Sequence, residues 1–184
     1  MKKLAKFSLI LVIVNLLFSG LYAEVVTKVW EKTYGGSKYD IVKAVVSTED
    51  RGFIVAGNTN SFGENFSDIY LIKIDENGNK VWERTYGGKY GDEASAITKV
   101  KDGGFIVAGN IESFDNGFEG IYDIYLIKID ENGNKVWEKT YGRKGWDKVS
   151  AITKTIDGGF IVAGYTKSLS HGSWDVYLIK AYEK

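Results

Sequence analysis

The chain contains no cysteine and no proline, and only one histidine and one methionine. Without cysteine there are no disulfides, no thiol nucleophile, no thiolate metal ligands and no lipid attachment at a cysteine. A single histidine, His171, excludes a histidine metal cluster, and no Ser–His–Asp constellation is visible. Without proline, tight turns fall to the 22 glycines. An excess of positive charge is missing too, since 24 basic residues face 24 acidic ones. Setting aside residues 1–23, which hold Lys2, Lys3 and Lys6 and no acid, leaves a net charge of −3. That balance offers no footprint for nucleic acid or an anionic membrane, and no nucleic-acid partner is expected.

Long apolar runs are confined to one place, residues 9–18, broken only by Asn15. Preceded by three lysines and followed by Leu21-Tyr22-Ala23, this run reads as a secretory signal peptide over residues 1–23. It is short of the ~20 apolar residues of a spanning helix, so no stable membrane insertion is expected after cleavage. A secreted, periplasmic or cell-surface location follows. Stability must then come from burying a core, which ~160 residues can supply.

What the chain has in abundance is internal repetition, and this is read before any motif. KVWEKTYGG at 28–36 returns as KVWERTYGG at 80–88 and KVWEKTYGR at 135–143. GFIVAG occurs at 52–57, 104–109 and 159–164, and DIYLIKIDENGN at 68–79 and 123–134, with DVYLIK from Asp175. One domain of three repeats, 28–79, 80–134 and 135–184, is expected over residues 24–184. The second repeat carries three extra residues, all between Gly109 and Asp123.

Each repeat holds four strand signals, a to d. In the first these are near 41–48, 53–58, 69–75 and 80–86. The a–b turns carry Asp-Gly-Gly in two copies, and the c–d turn is Glu76-Asn77-Gly78-Asn79. Asn-Gly between two strands predicts a hairpin in which both turn residues take positive φ. Short connections throughout predict an antiparallel meander. Strands b and c are apolar on both sides, which predicts cover on both faces. Strand d mixes Val and Trp with charges, as an outer edge would. A four-stranded sheet stacked between similar sheets, with one polar outer strand, describes a propeller blade. The expected fold is all-β, with three four-stranded antiparallel propeller-type blades. A β-trefoil ranks lower.

These strings, from TYGG through DGGFIVAG and D-x-YLIKID-x-NGN to the tryptophan of strand d, resemble the β-propeller repeats of secreted and surface proteins of bacteria and archaea. The resemblance covers essentially the whole chain after residue 23. It implies architecture and little about activity, because most of that family has no assigned one. The turn Asp75…Gly78…Trp82 also looks like the tryptophan-docking turn of quinoprotein propellers. It is taken as a packing device only, since nothing here resembles a quinone or metal site; no cofactor and no metal is expected.

The strand order from residue 24 is d, abcd, abcd, abc, which is twelve strands cut one strand out of phase. Three blades are too few to close a ring, which takes ~4–8. Self-association of two chains into a six-bladed ring is therefore expected, with residues 28–34 of each pairing with 177–180 of the other. The rival reading is a longer propeller shortened at its C-terminus.

In such a blade the d–a and b–c loops share one rim, and they hold almost all the variation between repeats. Tyr39, Phe62, Phe66, Tyr90, Phe114, Phe118, Tyr122, Trp146, His171 and Trp174 lie in these loops among Asn, Asp, Ser and Gly. Such rings could stack on sugars or bury a protein partner. The bland alternative packs many of them between neighbouring blades. Asp40, Asp92 and Asp147 are read as acceptors for turn N–H groups rather than as a cation site. Trp30, Trp82 and Trp137 recur at one strand position and are read as packing. No catalytic residue is assigned. The leading function is an exported, noncatalytic binding or scaffold module for a glycan or a surface protein. A carbohydrate-active hydrolase with paired carboxylates is the alternative.

Overall fold

A computed structural model of the chain describes residues 26–63, 66–101, 103–115 and 118–183; the side chains of 113–115 and 118–120 also fall outside the description. The signal-like residues 1–23 lie outside it, and among the described residues no helix is long and apolar enough to cross a membrane. The chain divides into two compact units, Met1–Glu31 and Lys32–Lys184. In the described part of the first, Lys28 and Glu31 form an exposed ion pair of 2.7 Å.

The second unit is all-β. Among the described residues its strands are β1 (Asp40–Ser47), β2 (Phe53–Thr59), β3 (Asp68–Ile74), β4 (Lys80–Tyr86), β5 (Asp92–Lys99), β6 (Phe105–Asp115), β7 (Phe118–Ile129), β8 (Lys135–Tyr141), β9 (Asp147–Lys154), β10 (Phe160–Thr166) and β11 (Asp175–Ala181). They form three antiparallel meanders, β1-β2-β3-β4, β5-β6-β7-β8 and β9-β10-β11. Every pairing joins sequence neighbours. The expectation of three four-stranded sheets is thus corrected in the third, which has three strands. Residues 28–34, the leading copy of the fourth-strand string, form no strand. A strand is held by its ladder partner, and among the described residues no strand pairs with this segment.

Side chains alternate across each sheet, and the repeats set one face toward the next sheet and the other toward the previous one. Ile54, Ala56, Ile69 and Leu71 of the first sheet pack on Ala94, Ile97, Phe105, Val107, Tyr125 and Ile127 of the second. Ile106, Ala108, Ile124 and Leu126, on the second sheet's other face, pack on Val149, Phe160 and Val162 of the third. The two seams use equivalent residues, so one interface is built twice. β3 is buried along its whole length, as its two-sided apolar sequence predicts. β11 has the same kind of sequence but is largely exposed, because no described sheet stacks on the far face of the third sheet.

Strand d is an outer edge in the first two sheets. Trp82 of β4 lays its ring against Gly133 and donates Nε1–H to the Glu131 carbonyl at 3.2 Å. Tyr86 donates its hydroxyl to the Gly133 carbonyl. Tyr34, in the leading copy of the same string, donates to the Gly78 carbonyl at 2.5 Å and packs on Tyr70, Ile72 and Ile74. Tyr34 and Tyr86 thus dock alike on the c–d turn of the sheet that follows, whereas Trp137 in the third copy donates Nε1–H to the Glu183 carboxylate at 2.9 Å.

The c–d turn departs from the mirror-image hairpin turn. Gly78 and Gly133 have φ of 74° and 78°, whereas Asn77 and Asn132 stay in negative φ. Gly78 N–H bonds to the Asp75 carbonyl, and the Asp75 carboxylate accepts from Asn77 and Asn79 N–H at 2.9 and 2.7 Å. The aspartate cap supports an ordinary turn followed by one left-handed glycine, so only that residue needs positive φ.

The a–b turns take positive φ at Gly103 and Gly158, but the first repeat places Arg51 there, at φ 66°. A non-glycine residue in this region is strained by about 1–2 kcal/mol, partly offset by glycine's extra freedom when unfolded. The Arg51–Glu76 ion pair at 3.1 Å is exposed and contributes little. Arg51→Gly is expected to stabilise the fold by about 0.5–1 kcal/mol, read as a higher urea midpoint with unchanged slope.

Candidate functional site

The d–a and b–c loops meet on one rim, tied by backbone hydrogen bonds. Asn60 N–H bonds to the Tyr39 carbonyl, Glu112 N–H to Gly91, and Lys167 N–H to Trp146. Beneath them the strand-a aspartates anchor the turns. Asp40 accepts from Gly36 N–H and the Ser61 hydroxyl, each at 2.8 Å. Asp92 accepts from Gly88 N–H at 2.6 Å, and Asp147 from Arg143 N–H and the Ser168 hydroxyl.

On this frame the second and third sheets assemble a row of four rings. Tyr122 and Trp146 have centroids 5.5 Å apart, Trp146 and Trp174 6.4 Å, and Trp174 and Tyr165 5.0 Å. The last two pairs are edge-to-face, which suits the ring quadrupoles. Trp146 and Trp174 stay 40% and 42% exposed, far more than core packing would leave. Two lysines attend the row. Lys148 Nζ lies 3.9 Å from the Tyr122 centroid and 5.4 Å from that of Trp146, and Lys167 Nζ lies 5.4 Å from that of Trp174. Cation–π attraction holds both ammonium groups against the rings. Burial, then the nearby carboxylates of Glu112, Glu93 and Asp92, raise the Tyr122 hydroxyl above the usual tyrosine range, so it stays a neutral donor.

Of the residues expected from sequence, the structure brings together Tyr122, Trp146 and Trp174. Tyr39 is 79% exposed. Phe62 packs on Tyr70 at 5.3 Å, so it closes its own loop, and Phe66 stands exposed. Tyr90 is half-buried beneath Lys89. His171 has a fully exposed side chain, 3.8 Å from the Asp175 carboxylate, and no part in the row. The side chains of Phe114 and Phe118 lie outside the described residues, but their backbone does not. The three extra residues lengthen β6 and β7 into a long hairpin with Asp115 opposite Phe118, where a loop was expected.

Sequence reasoning missed Tyr165, Lys148 and Lys167. For two of them the signal was a break in the repeat. Tyr165 stands where the other copies have Asn58 and Asn110, whose side chains accept Ala94 N–H and Val149 N–H. Lys148 stands where they have Ile41 and Glu93.

Asp68 and Asp92 converge on Gly87, where any side chain would collide with both. Asp123 and Asp147 do the same at Gly142. Asp68 and Asp92 are buried under the loops, and Asp68 lines a pocket there with Gly63, Tyr86, Gly87, Gly88 and Lys135. Among the described residues no group of three or more His, Cys, Asp or Glu is placed to hold a metal ion. Two grooves on the opposite side, beside Trp82 and Trp137, repeat one packing geometry and are seams between sheets. In comparison with known proteins, the chain matches no family model and no curated sequence.

Proposed function

We propose that the three meanders are propeller-type blades and that the chain is an exported, noncatalytic binding module. Its ligand contact is the row Tyr122–Trp146–Trp174, with Tyr165 edge-to-face against Trp174. The observation that carries the reading is the exposure of two adjacent tryptophans held in fixed edge-to-face geometry. Rings that serve packing alone, such as Tyr70 and Tyr125, are buried. The blade reading is supported by stacked meanders joined through one repeated interface. A trefoil would require strands distant in sequence to pair in a closed barrel, and each strand here pairs with its sequence neighbour in an open meander.

A row of exposed, rigid rings flanked by ammonium donors suits a glycan. Sugar faces stack on the rings, and hydroxyl or carboxylate oxygens take hydrogen bonds from Lys148 and Lys167. The measurement is a glycan array followed by titration calorimetry. Trp146→Ala and Trp174→Ala are each expected to weaken binding at least ~10-fold, the range of an aromatic anchor. Phe66→Ala, outside the row, should leave it unchanged. Full affinity in both tryptophan variants rejects the site, and turnover of a bound glycoside rejects the noncatalytic reading in favour of a hydrolase.

A further inference from the structure

The seam between sheets is built twice within the chain, and both halves of a third copy are exposed at its two ends. On the far face of the third sheet, Val176 and Leu178 are 82% and 57% exposed. Their equivalents Ile69 and Leu71, and Ile124 and Leu126, are fully buried. On the near face of the first sheet, Val42 and Val45 are 63% and 62% exposed, where Ala94 and Ile97 are buried. An apolar sheet face of this extent marks an interaction surface. Among the described residues the outer edge of β11 has no ladder partner, where β3 and β7 pair with β4 and β8. The chain also carries a further copy of that fourth-strand sequence, residues 28–34, whose Tyr34 already docks on the following sheet as Tyr86 does.

We infer that the occupant of these surfaces is a second copy of this chain. The far face of each third sheet stacks on the near face of the other's first sheet, and residues 28–34 add to the outer edge of β11 as a fourth strand. The occupant is named by continuity with the internal seams, whose apolar positions the two exposed faces repeat at Val176, Leu178, Val42 and Val45. The three described sheets of two copies make six, within the ~4–8 that close a ring, and the two copies meet about a twofold axis.

The register follows from β3–β4, where Leu71 pairs with Arg84 and Ile72 with Glu83. It places Lys32 of one copy opposite Leu178 of the other, and Glu31 opposite Ile179. Tyr177 then donates to Glu31 across the interface, as Tyr70 does to Glu83 and Tyr125 to Glu138 within the chain. Asp175 comes to lie beside Asp40 and Gly35, completing the arrangement seen at Gly87 and Gly142. Tyr165 makes this seam differ from the internal ones, because it replaces their buried asparagine. The inference concerns assembly and does not rest on the binding reading.

The test exploits the absence of cysteine. Chains carrying Lys32→Cys are mixed with chains carrying Leu178→Cys and oxidised; cross-strand neighbours lie within disulfide reach. A covalent heterodimer is expected on a denaturing gel. None is expected when Ile156→Cys, on an exposed turn, replaces Leu178→Cys. Sedimentation of the purified full chain should give twice the chain mass, falling to once in Leu178→Glu. A monomer in the unaltered chain, a ladder of longer polymers, or cross-linking no better than with Ile156→Cys would overturn the inference. The cross-link stands as a test even if the glutamate variant fails to fold.

Discussion

Leu126→Ala is expected to destabilise the chain by about 2–5 kcal/mol, a fall in Tm of roughly 4–20 °C. Leu126 sits in β7 of the middle sheet and is completely buried, among Ile106, Ala108, Ile124, Val149, Phe160 and Val162. These neighbours come from two sheets whose strands are locked by ladders, so they close poorly over a void. The cavity therefore adds to the lost transfer energy. Leu178 is the informative comparison, since it holds the equivalent position in β11 but is 57% exposed. In a single chain Leu178→Ala should lower stability by less than ~1 kcal/mol. In the paired form it should approach the Leu126 effect, and only at concentrations where pairs persist. Thermal unfolding across a dilution series measures both. An equal, concentration-independent effect at the two positions would contradict the burial difference.

The second large effect is electrostatic. Asp92 is almost wholly buried, and burial, aided by the Asp68 and Glu112 charges, pushes its carboxyl up to about 6 despite the Gly88 hydrogen bond. One of its oxygens, Oδ1, is buried without a hydrogen-bond donor. In the unfolded chain the group titrates near 4. Below that value both states are protonated and Asp92 has no effect on stability. Between about 4 and 6 the folded state keeps a proton that the unfolded state has lost, so stability falls as pH rises; above 6 the full penalty is present. Asp92→Asn keeps an oxygen for Gly88 N–H and removes the charge. It should stabilise the fold by about 2–3 kcal/mol at pH 7.5, and by little at pH 4. Carboxylates such as Asp50 and Glu83, lowered by hydrogen bonds from lysines, act in the opposite sense. They contribute stability above the unfolded value and lose it in acid. The difference between variant and parent therefore isolates Asp92. Denaturant titrations at the two pH values are the measurement, and an equal difference at both would reject the assignment.

Repetition made the strands and their order legible. Three near-identical copies of GFIVAG and YLIK must occupy equivalent environments, and short glycine turns leave only neighbour pairing open. The turn chemistry was legible less well. Asn77-Gly78 pointed to a mirror-image turn, but the Asp75 side chain bonds two N–H groups and stabilises a different one. The rim was legible by composition only. Sequence named Tyr122, Trp146 and Trp174 with seven other candidates and had no means of separating them. Phe62 and Trp146 are both loop aromatics; one folds onto Tyr70 of its own sheet and the other meets rings from elsewhere.

The sequence alone determined what depends on local patterning: an all-β arrangement, the strand boundaries of the first sheet within a residue or two, the meander order, and the placing of a fourth-strand string ahead of the first sheet. Those rest on alternation, turn residues and repetition, which act over a few positions. The tertiary structure alone decided which side chains meet across sheets. It set Tyr165 beside Trp174, Lys148 over Tyr122, Asp92 beside Asp68, and Leu126 inside while Leu178 stayed out. Leu126 and Leu178 share a local sequence, so their difference resides wholly in what is stacked above them, and stacking is a property of the assembled sheets.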